Sequence, residues 1–289
     1  MDPRERIDQA LEAALVRQGD AGTPPRLMAA MRHAVFPGGG RMRPRLALAV
    51  AAACGEDLPA ASDAAAVAVE LMHCASLVHD DLPCFDDAET RRGQPAVHRA
   101  FGEPLAVLAG DALILLAFQV LARDVAVAPD RMGRLITITA DAVGLPSGII
   151  AGQGWESEPE VDLSQYHQAK TGALFAAATM AGAAAAGHPH AAWGAVGARL
   201  GEAYQVADDL RDLAAKAEDL GKPVGRDAEL GRPNAPEALG IPGAVKRLEG
   251  LLAAAAEAVP ACPGEEMLKG LIKTEASRFL PKELARYAA

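Results

Sequence analysis

Glu70-Leu71-Met72-His73-Cys74-Ala75-Ser76-Leu77-Val78-His79-Asp80-Asp81-Leu82-Pro83-Cys84-Phe85-Asp86-Asp87 runs from an apolar helical stripe straight into a cluster of carboxylates. With Val67 upstream, Leu71, Cys74, Ala75 and Val78 recur at three- and four-residue spacing, which is one broad face of a helix. Ser62 is placed to cap that helix and Pro83 to distort or end it. Asp80 and Asp81 then close the helix, at the end where its macrodipole opposes negative charge. Asp86 and Asp87 follow after a turn.

Outward from this stretch the same periodicity recurs to both ends of the chain, broken by short Gly/Pro segments and without a convincing alternating strand. It predicts helices over 4–17, 25–35, 43–54, 104–123, 131–143, 163–186 and 190–220, and two shorter ones after Ile241. Links are short except 220–239, which is rich in Gly, Pro and charge. The expectation is one all-α domain over 1–289. Composition agrees, with alanine dominant and aromatics only 4%; small side chains let helix axes approach closely. The net charge of −10 argues against nucleic acid as a partner. Cys54, Cys74, Cys84 and Cys262 show no metal-type spacing and read as buried, reduced thiols of a cytoplasmic protein. The charged start, Met1-Asp2-Pro3-Arg4-Glu5-Arg6, does not resemble a secretory signal. No run comes near the roughly 18 apolar residues that span a bilayer; 175–187 is the nearest, so a soluble protein without a transmembrane segment is expected.

A second carboxylate cluster, Asp208-Asp209-Leu210-Arg211-Asp212, lies in a long helical pattern. Asp208 and Asp212 project from one face a turn apart, with Asp209 to the side. Like charges at this spacing repel, and the flanks Ala203, Val206, Ala207, Leu210 and Leu213 are apolar. Carboxylates crowded on such a helix need a counter-ion, and a hard divalent cation suits them. Either cluster alone reads more readily as a solvated acidic turn. Basic groups tip the balance: Arg91-Arg92 after the first cluster, Arg41, Arg43 and Arg45 after Gly38-Gly39-Gly40, then Lys170-Thr171 and Lys222. Arginine grips phosphate bidentately and lysine as a point charge. Mg²⁺ takes one or two protein carboxylates and fills its sphere with water and phosphate oxygens, so two acidic clusters among these cations fit a metal-bound diphosphate.

At this level the sequence resembles the trans-type polyprenyl diphosphate synthases over nearly its whole length, most of all the bacterial geranylgeranyl diphosphate synthases. Gly38–Pro44 is similar to the family's GGKRxRP, and the stretch quoted above, with Arg91-Arg92-Gly93, to its first aspartate-rich motif. Lys170-Thr171 is similar to its KT pair. Gln205, Asp208, Asp209 and Asp212, followed by Gly221-Lys222, are similar to its second motif. The resemblance implies an isoprenoid synthase-type helical bundle around a central apolar cavity, acting as a homodimer. It implies Mg²⁺, more than one ion, on Asp80, Asp86 and Asp208, with Asp81 and Lys170 in the same catalytic set. Arg91, Lys170, Thr171, Gln205, Lys222 and Arg232 would grip an allylic diphosphate (dimethylallyl, geranyl or farnesyl), and Arg43, His73 and Arg92 isopentenyl diphosphate. The chain departs from the family at Gly40, where a lysine is usual, with Arg41, Arg43 and Arg45 expected to compensate. Arg232 and Asn234 replace a lysine and a threonine, and Gly152-Gln153-Gly154 lacks the aspartate that often follows.

In this family the residue five before the first aspartate helps to set the floor of the product tunnel, and an aromatic there stops growth near fifteen carbons. Here it is Ala75, beside Ser76 and with Met72 deeper, which implies a geranylgeranyl product; the Gly231-Arg232-Pro233-Asn234 ending and the alanine richness resemble synthases that supply carotenoid or bacteriochlorophyll precursors. The alternative for Ala75 is helix packing with another residue as the floor. The alternatives for the chain are a farnesyl or longer-chain synthase, a terpene cyclase, whose second motif is usually of Asn-Ser-Glu type, or a non-catalytic regulatory subunit.

Overall fold

The computed structural model describes residues 1–19, 22–36, 38–160, 165–166, 168–218 and 235–279. Its helices are α1 (Pro3–Val16), α2 (Pro25–Val35), α3 (Met42–Ala53), α4 (Pro59–Asp80), α5 (Val97–Phe101), α6 (Glu103–Asp124), α7 (Pro129–Val143), α8 (Ile149–Trp155), α9 (Ala173–Ala185), α10 (Trp193–Glu218), α11 (Ala235–Glu257) and α12 (Glu265–Phe279). The fold class is all-α, as the composition and periodicity require. Proline in the first turn starts α1, α2, α4, α6 and α7, where its fixed φ suits the helix and its missing N–H costs no bond. On α1, Asp2 adds a cap, its Oδ1 accepting from Arg4 N–H at 2.8 Å. α4 departs from expectation here. It begins at Pro59, with Leu58 in the cap position, and Ser62 lies buried inside the first turns; the proline, not the serine hydroxyl, sets the start.

α4 packs along α6 and against α3 and α9, α9 leans on α10, and α10 on α11. One apolar cluster gathers around α4, α6 and α7 and a second around α10, α11 and α12, with Leu46 and Met180 touching both. Two helices overturn the expectation about apolar runs. α4 and α6 each contain a window long and apolar enough to cross a membrane, with mean hydropathy 1.3 and 2.2. Isolated charges such as Glu70 and Asp111 break each run without lowering its mean hydropathy enough to fail that test. Of these windows 78% is buried inside the fold in α4 but only 44% in α6. The thiols also divide: Cys54 and Cys74 are buried and Cys262 partly so, but Cys84 is exposed, because the turn after α4 lifts it to solvent.

Besides the short helices α5 and α8, three features escaped the periodicity. A two-residue ribbon pairs β1 (Thr90–Arg91) with β2 (Gln94–Pro95), antiparallel, Arg91 opposite Gln94. Its turn is Arg92-Gly93, both with positive φ (53° and 77°), the backbone that two-residue hairpins favour. The helix expected over 163–186 is entered through a π-helical turn, Gln168–Gly172, before α9. The helix expected after Ile241 already begins at Ala235 and breaks at Gly240.

Candidate active site

The last turns of α4 present Met72, Ala75, Ser76, His79 and Asp80 at helical spacing, and this stripe lines a cavity of about 310 Å³. Ile114 of α6 and Ile149 of α8 are among the residues facing it, so the wall is mainly apolar, with Ser76, His79 and Gln153 as polar members near Asp80. The three residues expected to govern chain length, Met72, Ala75 and Ser76, therefore share one cavity.

Beyond Asp80 the chain curls back on the helix end. The N–H groups of Asp86, Asp87 and Ala88 donate to the carbonyls of Asp80 (2.9 Å), Leu82 (3.1 Å) and Asp81 (3.2 Å), satisfying acceptors that a helix C-terminus leaves open. This fold-back brings Asp86 close enough to Asp80 to oppose its ionisation. Burial raises the Asp80 pKa first of all, Asp86 pushes it further, and Lys170 works against both.

Lys170 Nζ lies 3.2 Å from Asp80 Oδ1 and 2.6 Å from Glu156 Oε1. Burial opposes its charge, but Asp80 and Glu156 outweigh burial and hold its pKa above the ordinary value. Glu156 also accepts from Tyr166 OH at 2.5 Å and from Gln153 Nε2 at 2.8 Å. This glutamate was missed in the sequence; the signal was an acid three residues after Gln153. Gly152 allows the approach, since a Cβ there would lie 2.6 Å from the Lys170 backbone nitrogen.

The ribbon turn sends neighbouring arginines to different partners. Arg91 donates from Nε to Asp81 Oδ1 at 3.0 Å and from Nη2 to the same oxygen. Asp81 is only 2% exposed; its hydrogen bond, with help from Asp80 and Asp86, holds the Arg91 pKa above the ordinary value against burial, so Arg91 stays within reach of the Asp80 and Asp86 charges. Arg92 Nη2 lies 3.2 Å from His73 Nε2, and Arg43 Nη1 lies 3.4 Å from the same nitrogen. Guanidinium groups only donate, so that nitrogen carries the lone pair. Burial, then Arg43, Arg92, Arg91 and Arg41, hold the His73 pKa well below its usual value. Arg43 stacks 4.5 Å from the Phe175 ring centre, and its Nε is buried with no hydrogen-bond partner among the described residues.

Arg41 does not join this cluster, contrary to the compensation expected for Gly40. It is 3% exposed and points into the core. Its Nη1 meets Glu70 Oε1 at 2.6 Å, its Nε meets Asp8 Oδ1 at 3.0 Å, and its Nη2 donates to Val35 O at 2.9 Å. A Cβ at Gly40 would make only an ordinary contact, with Met42 Cγ at 3.6 Å.

On α10, Asp208 is half exposed and pairs with Arg211 at 3.2 Å, and Gln205 Nε2 donates to Asp209 Oδ1 at 3.1 Å. Thr171 sits in the π-turn beside Lys170. Lys222, Arg232, Asn234 and the side chain of Asp212 lie outside the described residues. Among the described residues no three His, Cys, Asp or Glu side chains converge on one point that could hold a metal. Asp80 and Asp86 interact with each other, and Asp208 is carried by a different helix, α10.

The family described as Polyprenyl synthetase matches residues 24–260. The chain is 56% identical to the geranylgeranyl diphosphate synthase of Cereibacter sphaeroides, covering 97% of this chain and 98% of that one. It is 53% identical to the geranylgeranyl diphosphate synthase of Rhodobacter capsulatus, over 96% of each. In structure it is similar to a geranyltransferase from Legionella pneumophila, with a TM-score of 0.79 and 26% identity over 96% of this chain and 95% of that one. A matched segment of this length and relatives this similar over their whole length lead to one conclusion: the chain belongs to the polyprenyl synthetase family.

Proposed function

We propose that the chain condenses isopentenyl diphosphate with allylic diphosphates and stops at the twenty-carbon geranylgeranyl diphosphate. The observation that carries this is the meeting of Asp80, Asp86 and Lys170 at one end of an apolar cavity that Ala75 leaves open. A diphosphate head belongs with the charges and an isoprenoid chain with the apolar wall.

Asp80 and Asp86, joined by Asp208, are the carboxylates that would hold Mg²⁺. A desolvated carboxyl crowded by a second one suits a hard cation that takes one or two carboxylates and completes its sphere with water and phosphate. When bound, the metal neutralises the charge that builds up on a departing diphosphate. Lys170 keeps a positive charge at the same rim. Arg43 and Arg92 receive the diphosphate of isopentenyl diphosphate, with neutral His73 between them accepting from both and orienting them. The allylic C–O bond breaks with its electron pair leaving on the diphosphate. The isopentenyl double bond attacks the carbocation, a C–C bond forms, and the released diphosphate takes the proton. The apolar wall keeps water from the cation. No side-chain nucleophile is needed.

The test is product chromatography with purified protein, isopentenyl diphosphate, farnesyl diphosphate and magnesium. Extension of the fifteen-carbon substrate to twenty carbons is expected, and Asp80→Asn should lower turnover about 100-fold or more. A farnesyl substrate left unextended overturns the product assignment. Extension beyond twenty carbons points to a longer-chain synthase, and inactivity of the isolated chain with every allylic substrate points to a regulatory subunit.

Two further readings belong to this proposal. A second copy of the chain packs on α6, where Leu108 and Leu115, seven residues apart, are 50% and 63% exposed. The free thiols support a cytoplasmic enzyme, and the likeness to bacterial geranylgeranyl diphosphate synthases supports one that supplies carotenoid or bacteriochlorophyll precursors.

A further inference from the structure

α4 and α6 approach so closely beside the cavity that Gly110 has no room for a side chain. A Cβ there would lie 2.1 Å from His79 Nε2 and 2.5 Å from its Cδ2. Gly110 is inside α6 and is not among the positive-φ residues. Conformational freedom therefore does not explain it, and a glycine weakens a helix interior relative to alanine. What it does provide is a seat. The His79 ring rests over bare α6 backbone, with Nε2 3.3 Å from Val107 O and 3.7 Å from Asp111 Oδ1. His79 belongs to the α4 stripe that lines the cavity, one turn from Ala75 and next to Asp80.

We infer that Gly110 is a specificity-determining residue: by seating His79 in the α6 wall it sets the bore of the cavity through which the allylic chain runs. The inference rests on the reading of that cavity as the place of the growing chain. A methyl group at position 110 enters from the α6 side and drives the ring off its seat toward the cavity that it lines. Narrowing then comes from α6, a helix away from Ala75, and acts on longer chains more than on shorter ones.

The experiment compares wild type, Gly110→Ala, His79→Ala and the double variant with dimethylallyl, geranyl and farnesyl diphosphates, alongside a crystal structure of Gly110→Ala. Gly110→Ala should lose kcat/KM progressively with chain length, about tenfold or more for farnesyl diphosphate, and shift its products to shorter chains. The double variant should regain farnesyl use, since it has no ring to displace. His79→Trp, which overfills the same seat without altering the sequence of α6, should show the same graded loss and covers a poorly folded Gly110→Ala. Equal loss for all three substrates, or a double variant as impaired as Gly110→Ala, overturns the inference. So does a His79 ring that stays in place or swings to solvent in the crystal, whatever the activity. A wild type that extends none of the three substrates overturns the proposed function instead, and the ring position still decides the inference.

Discussion

Arg41 and Glu70 form an ion pair whose side chains are 1% and 2% exposed. Removing one partner strands a charge in the core, so Arg41→Ala should cost about 3–5 kcal/mol in urea unfolding. Arg41, Arg43 and Arg45 look interchangeable in sequence, and only their partners separate the core arginine, held by Glu70 and Asp8, from the site arginine beside His73. Spacing records which residues are near one another along a helix but not which of them meets a buried glutamate twenty-nine positions later. His73 gives a second test. The folded protein refuses a proton at this imidazole that the unfolded chain accepts near pH 6.5. The stability due to the neutral ring is therefore full above that pH and lost as pH falls below it. Between pH 7.5 and 5.5 the calorimetric melting temperature should fall more steeply for wild type than for His73→Gln; parallel curves would show that His73 does not contribute.

Helix α4 carries both the cavity stripe and the first carboxylate. From Met72 to Asp80 the rise is about 12 Å at 1.5 Å per residue, so floor and charged rim are fixed relative to each other by one rigid element. Ala75→Tyr should fill the stripe and shorten the product with condensation retained; chromatography showing an unchanged product would move the floor elsewhere. α4 was legible because 22 residues repeat the periodic signal many times. α5 and α8 span five and seven residues, too few turns for a period to stand out. The π-turn at Lys170 was hidden for a different reason: an extra residue in a helix leaves no compositional trace. Glu156 was passed over with it, although the two side chains meet.

Across the whole molecule, α6 works on two sides. Ala106, Ala109, Gly110 and Leu113 are buried, while Leu108 and Leu115 face outward. Replacing both outward leucines by aspartate should yield a monomer in analytical ultracentrifugation; an unchanged sedimentation coefficient would put the partner surface elsewhere. The helical class was readable from composition and periodicity, yet the apolar length of α4 and α6 was underestimated because single charges mask a high mean hydropathy.

The sharing of α4 by cavity stripe and carboxylate also restricts how such a protein can diverge. One residue gained or lost between 72 and 80 would swing the floor about 100° away from Asp80, as 3.6 residues per turn dictates. Drift in product size that acts through this helix must then proceed by exchange of its side chains, at constant length. Length itself can vary only past its end, and the four residues between Asp81 and Asp86 occupy that stretch.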